Sequence, residues 1–377
     1  MKTKMAIMAM VLTAMLMAGN AVGQPGLKDV LGRYFMVGTS LNKWQSSGQD
    51  TAAVSIVDRH FNAVVAENVM KADALQPAEG VFNFGPADEL AQLAADHHLT
   101  LIGHCLVWHS QAPAWLFRDG QGHDVSREVL IERMRRHIAT VVGHYRGRVH
   151  GWDVVNEAVN DDGTMRQSPY CRIIGEDFIE AAFRAAHEAD PDAELYYNDY
   201  SLANPAKRDA VCRLVRRLKA AGCRIDAVGM QSHNGLDYPD LRDYEASIDS
   251  FAACGVKVMI TELDINVLPN PVGMAGAAVE QNFGYQQRFN PYEDGLPADV
   301  ESRLEQRWLD HFNIYKRHAD QISRINLWGI ADNNSWLNNW PVHGRTNYPL
   351  LFDREYHEKP VVRKIIALFD EANKNRK

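Results

Sequence analysis

Two acids stand where short apolar runs end. Glu157 closes the run in "WDVVNEAV", whose Val154 and Val155 are β-branched and apolar. Glu262 closes the run in "VKVMITELDINV", where apolar and β-branched residues lead into Thr261-Glu262-Leu263-Asp264. Both runs read as buried strands. Glutamate is rarely buried unpaired, and no Arg or Lys lies within either strand end. Ion pairing is therefore a weaker account of two such acids than chemistry. Facing carboxylates suit glycosidic cleavage: one protonates the leaving oxygen, and the other attacks the anomeric carbon or activates water. Attack needs a gap of about 5–5.5 Å, water about 6.5–9.5 Å. The sequence leaves both open.

Facing acids need a frame. Strands are predicted at Tyr34–Gly38, Ala63–Ala66, Thr100–Gly103, Val149–Val155, Glu194–Tyr197, Ala227–Met230, Val258–Thr261 and Ile325–Trp328. Helical patterns fall between and after them, at Thr51–His60, Pro86–His98, Ser126–Tyr145, Glu176–Asp190, Pro205–Ala221, Leu241–Ala253, Glu301–His318 and Val361–Asn373. Ser126 and Pro205 mark helix starts, and Gly222 and Gly255 helix ends. Strict strand–helix alternation predicts α/β with parallel strands, and eight repeats without a composition break predict a closed (β/α)8 TIM barrel as a single catalytic domain. The 377-residue chain exceeds the roughly 250 residues typical of that barrel, so long loops are expected. One is visible at about 270–297, rich in Gly, Asn, Gln and Pro, after the seventh strand.

Catalytic groups of such barrels come from the C-terminal ends of different strands. The fourth and seventh strands face each other, so Glu157 and Glu262 can share a cleft. Other polar and aromatic residues collect at strand ends too: Glu67, Asn68 and Lys71 after the second; His104, Trp108 and Gln111 in "GHCLVWHSQAPAW"; Gln231 and His233 after the sixth; Trp328 and Trp336 in "LWGIADNNSW". A lone His or Trp is more often packing than function. One rim gathering all of them suits sugar, since indole faces stack on sugar rings and amides, imidazoles and amines bond hydroxyls.

The first 23 residues stand apart. Lys2 and Lys4 precede an apolar run from Met5 to Ala18, and Ala21-Val22-Gly23 offers small residues before Gln24. Residues 1–23 read as a cleaved secretory signal and 24–377 as the catalytic domain, with a periplasmic or extracellular destination and no membrane attachment after cleavage. The net charge of −8 becomes more negative once two lysines leave, which makes nucleic acid a poor partner. The five cysteines, Cys105, Cys171, Cys212, Cys223 and Cys254, are too sparse for a disulfide framework. A helix would hold Cys212 and Cys223 about 15 Å apart. Cys223 and Cys254, each just before a predicted neighbouring strand, are the better-placed pair. No CxxC or HExxH spacing suggests zinc, and no cofactor is expected.

The stretches "GHCLVWHSQAPAW", "WDVVNEAV", "GMQSH", "ITELDI" and "LWGIADNNSW" together resemble the motif set of glycoside hydrolase family ten, mostly endo-β-1,4-xylanases on a (β/α)8 barrel. The resemblance runs from about Leu27 to the last helix. It implies Glu157 as acid/base and Glu262 as nucleophile, with retention of configuration. It further implies that Asn156 bonds the sugar 2-hydroxyl, that Gln231 contacts the nucleophile or the same hydroxyl, and that His233 lies between Glu262 and Asp264. Lys71, His104 and Trp108 would hold the sugar on the non-reducing side, Glu67, Asn68 and Gln111 would lie further out, and Trp328 and Trp336 would form a roof. The charge on Glu262 is expected to raise the pKa of Glu157. The substrate implied is xylan or xylo-oligosaccharide, and a monomer is expected. A β-1,4-glucanase on the same barrel and a non-catalytic sugar-binding protein are the alternatives; retention of both glutamates opposes the second. A metal-dependent hydrolase is more distant, since His104 and His109 lack ligand spacing.

Overall fold

Parallel pairing joins every strand of the sheet and closes it on itself. The computed structural model describes residues 24–374 apart from 275, and only the backbone of 371–374; the signal-like segment 1–23 lies outside the described residues. The strands are β1 (Met36–Leu41), β2 (Ala63–Ala66), β3 (Thr100–Trp108), β4 (Val149–Asn156), β5 (Glu194–Asp199), β6 (Ala227–Met230), β7 (His233–Gly235), β8 (Lys257–Asn266) and β9 (Ile322–Leu327). They run in order from β1 to β6, then β8 and β9, which returns to β1. Short β7 continues β6 beyond a break at Gln231-Ser232 and pairs with β8 at His233↔Asp264. The wall is thus an eight-fold (β/α)8 barrel.

The strands are buried over most of their length, with only His150 and Lys257 exposed near the start of β4 and β8, because helices cover one face and the barrel's own filling the other. Val65, Ile102, Tyr196, Ala227 and Met259, from five strands, pack together in the interior against Trp328. The outer faces join the helices in one large apolar cluster. Room for Tyr196 comes from Gly151 on β4, where a Cβ would stand 2.2 Å from the phenol oxygen.

Helix ends follow the sequence closely. The Ser126 hydroxyl caps Arg127–His144 by accepting from the Val129 amide at 3.3 Å. Pro205 opens the helix Pro205–Ala220, and Gly222 takes the left-handed conformation just past its end, as Gly255 does after Leu241–Ala252. Two expectations need correction, and a pairing the sequence left open is settled. Strict alternation fails: β7 follows β6 without a helix, and short helices occur at Leu27–Leu31, Lys43–Ser46, Ala72–Leu75 and Pro169–Ile174. Strand boundaries move as well. β1 starts at Met36, because Tyr34 and Phe35 still donate to the Leu31 carbonyl. β3 and β8 continue well past Gly103 and Thr261, because the ladder tolerates polar side chains that face a cleft. Glu262 therefore lies within its strand. Finally, Cys223 and Cys254 are not bridged: all five cysteines are buried and free. The Cys254 thiol turns to the Ser250 carbonyl at 3.3 Å.

The close fit at Gly151 gives a stability test. Gly151→Ala should cost about 1–3 kcal/mol through overpacking against Tyr196, read as a lower denaturant midpoint. An unchanged midpoint would mean that this interior layer yields freely.

Candidate active site

The C-terminal rim of the barrel carries a cavity of about 230 Å³. Glu67, Asn68 and Lys71 reach it from the β2 end, His104, Trp108 and Gln111 from β3, and Asn156 and Glu157 from β4. Gln231 and His233 flank the β6–β7 break, Glu262 projects from β8, and Trp328 and Trp336 follow β9. All of the expected site residues meet here except Asp264, which is buried behind His233. Register shifts interrupt β3/β4 between His104 and Val107, β4/β5 between Asp153 and Val155, and β8/β9 between Ile260 and Leu263. Such irregularities re-aim side chains next to active sites. Glu157 itself has φ +57° and Ser232 φ +64°, left-handed values that cost non-glycine residues conformational energy.

The two glutamates are held in opposite ways. Glu157 accepts from the Trp108 indole at 2.8 Å and the Gln231 amide at 2.9 Å. Burial is the largest influence on its carboxyl and pushes it up; Asp199 adds to the rise, while His109 opposes it. The sequence reading assigned that rise to Glu262, whereas burial leads and Asp199 is the charge that assists. Glu262 is also pushed up by burial, but hydrogen bonding and charge from His233, the charge of His104 and a bond from Asn198 outweigh it, so it lies below the ordinary carboxylate range. Asn198 donates to Glu262 at 2.8 Å and His233 Nε2 lies 3.1 Å from it.

His233 connects Glu262 to Asp264, with its Nδ1 3.0 Å from Asp264. Burial works against its charge, yet the two carboxylates prevail and raise its pKa to about 10. The ring is thus an imidazolium at neutral pH. Trp336 donates to Asp264 at 2.8 Å, which locks the indole over the pocket, and Trp340 stacks on Trp336 at 4.4 Å. His104 is fixed through Nδ1 by Asp153 at 2.9 Å, which leaves Nε2 to serve the cleft. Lys71 bonds Gln111 at 2.7 Å and Asn68 at 2.9 Å and lies 4.8 Å from the Trp108 ring centre.

Three groups escaped the sequence reading. Asn198, at the end of β5, donates to both Asn156 and Glu262; the same strand-end filter applied to "YYND" would have found it. Trp340 lies beyond the motif that supplied Trp328 and Trp336. Arg166 bonds the Glu157 carbonyl at 2.8 Å and the Tyr200 hydroxyl at 2.7 Å, a long-range role with no local signal. Among the described residues no group of His, Cys, Asp and Glu could hold a metal ion, and no helix is long and apolar enough to cross a membrane.

A parallel βα-barrel whose rim holds one buried carboxyl up and another down, under tryptophans and among amides, defines a glycoside hydrolase. Residues 26–368 match the model of glycosyl hydrolase family 10, and the chain belongs to that family. It is 56% identical over 353 residues to endo-1,4-β-xylanase A of Xylanibacter ruminicola, covering 94% of this chain and 96% of that protein. An endo-1,4-β-xylanase of Geobacillus stearothermophilus is 40% identical, covering 91% and 98%. Among solved structures, a GH10 endoxylanase retrieved from a sugarcane soil metagenome superposes with a TM-score of 0.88 at 42% identity, covering 91% of this chain and 100% of that one. A variant structure in complex with xylotriose has a TM-score of 0.81 at 32% identity, covering 90% and 99%.

The dependence of Glu262 on His233 can be measured. The kcat/KM of the wild type should trace a bell: activity falls at low pH as Glu262 gains a proton and at high pH as Glu157 loses one. His233→Asn removes the cation and leaves burial to act, so the acid limb should move to higher pH. An unmoved limb would show that His233 does not set the ionisation of Glu262.

Proposed function

We propose that this chain is a secreted endo-β-1,4-xylanase that cleaves internal bonds of xylan with retention of configuration. The observation that carries the reading is that Glu157 and Glu262 line one pocket whose surroundings push the first carboxyl up and the second down. Glu157, held protonated, gives its proton to the glycosidic oxygen while the Glu262 carboxylate attacks the anomeric carbon. The leaving chain departs and the sugar remains esterified to Glu262. Water then donates a proton to Glu157 and its oxygen displaces Glu262 from the anomeric carbon, which restores both residues. Asn156 bonds the sugar 2-hydroxyl as the charge develops. Gln231, Asn198 and His233 orient the carboxylates and carry no covalent step.

Xylose rather than glucose is favoured by the tryptophan roof. Trp336 is tied to Asp264 and backed by Trp340, so it resists moving aside for the hydroxymethyl group that xylose lacks. Secretion rests on Lys2, Lys4, the apolar run and the small residues before Gln24. The enzyme acts as a monomer without a cofactor.

Two measurements test the reading. Glu262→Ala and Glu157→Ala should each lower the release of reducing sugar from xylan by about 10²–10⁴-fold or more; undiminished release from Glu262→Ala would exclude it as nucleophile. Initial rates on xylan should exceed those on soluble cellulose, and faster glucan cleavage would overturn the substrate assignment.

A further inference from the structure

The chain that leaves β8 crosses the cleft. β8 and β3 stand opposite each other, with three strands between them in either direction round the barrel. Glu280, on the loop after β8, nevertheless pairs with His109 just past the end of β3, at 3.2 Å. His109 holds the Glu280 carboxyl down to about 2, with hydrogen bonding as the main cause. Between its ends the loop lies close on the rim. Gly276 approaches the Tyr200 ring so nearly that a Cβ there would be 2.4 Å from Cε2. Trp340 donates its indole N–H to the Ala278 carbonyl at 3.2 Å. Val279 lines the catalytic cavity.

Beyond this crossing is a second cavity of about 420 Å³, bordered by Tyr200, Tyr238, Asn270 and Met274. Ala277 and His233 line both cavities, so the crossing segment, together with the start of β7, stands between them. Glu67, Asn68, Lys71 and Gln111, which the family resemblance assigns to the non-reducing side, lie on the catalytic cavity. The second cavity is therefore on the leaving-group side. A linear glycan that occupied both would have to pass where Gly276 and Ala277 lie.

We propose that residues Gly276–Glu280 form a strap across the leaving-group side of the cleft, latched by Glu280 on His109, which favours short xylo-oligosaccharides and must lift for polymeric xylan to bind. This rests on the xylanase reading above. Lifting would break the Trp340–Ala278 hydrogen bond, the bonds of half-exposed Glu280 to His109 and Ser110, and the packing of Ala277 against Tyr200 and Trp340.

The test compares kcat/KM on polymeric xylan with kcat/KM on an aryl β-xylobioside, whose small leaving group does not reach the second cavity. His109 also lowers the Glu157 pKa, so unpairing it alters the chemistry of both substrates alike, and the ratio cancels that effect. Glu280→Ala should raise the polymer-to-aryl ratio about two- to fivefold, the scale of one partly exposed ion pair. Glu280→Lys, which adds repulsion, should raise it at least as far. A ratio that stays constant or falls in both variants overturns the strap while leaving the xylanase reading intact. A wild type that cleaves neither substrate overturns the xylanase reading, and the strap with it.

Discussion

A buried imidazolium between two buried carboxylates sets the chemistry of this pocket. His233 lies within 3.1 Å of Glu262 and 3.0 Å of Asp264. In a low-dielectric site an unpaired carboxylate would take up a proton. Glu262 does not, because the cation and Asn198 offset its desolvation. Glu157 shares the burial but not that cation, and its carboxyl is pushed up. Two chemically identical side chains are thus shifted in opposite directions by unequal surroundings. Asp264 serves the arrangement from behind: it stabilises the cation and also holds Trp336, so the ionisation of Glu262 and the position of the roof depend on one carboxylate.

The barrel makes this arrangement possible by extending its ladder into the cleft. β3 and β8 keep parallel pairing as far as Trp108 and Asn266, so His104, Trp108 and Glu262 stand on a wall rather than on free loops. Groups on paired strands hold their geometry better than groups on loops. Most irregularities cluster at the rim; two further register shifts, at Leu101/Ile102 and Val258/Met259, lie near the start of β3 and β8. The shifts at His104/Val107 and Ile260/Leu263, the break at Gln231-Ser232 and the left-handed backbone of Glu157 all occur where a side chain must leave the regular alternation. Below them, the layer of Val65, Ile102, Tyr196, Ala227 and Met259 is well packed and supports the rim.

Much of this was legible in the sequence, for reasons particular residues make plain. The β-branched runs before Glu157 and Glu262 marked buried strands, and Ser126, Pro205, Gly222 and Gly255 marked helix ends, because those signals are local. The polar ends of β3 and β8 misled the strand boundaries, since a cleft-facing polar residue reads locally like a loop. Cys223 and Cys254 each precede neighbouring strands, as read, yet Cys254 turns to the Ser250 carbonyl while Cys223 lies near Arg184 and Glu180. The Glu157 shift was foreseen in sign and not in cause, because the depth of burial depends on the whole rim.

The sequence by itself determined which residues could do chemistry and that they would fall on one rim, since an α/β alternation of eight allows few closed arrangements and the strand ends follow from it. Only the tertiary structure decided what pushes the Glu157 carboxyl up and the Glu262 carboxyl down. Beyond burial, that difference depends on Asn198 and Asp199 of β5 and His233 of β7, which reach the two carboxyls from other strands. The crossing of the strap from β8 to His109 is of the same kind. Nothing near Glu280 in the chain points to a partner on the far side of the barrel, and only closure of the sheet brings the two together.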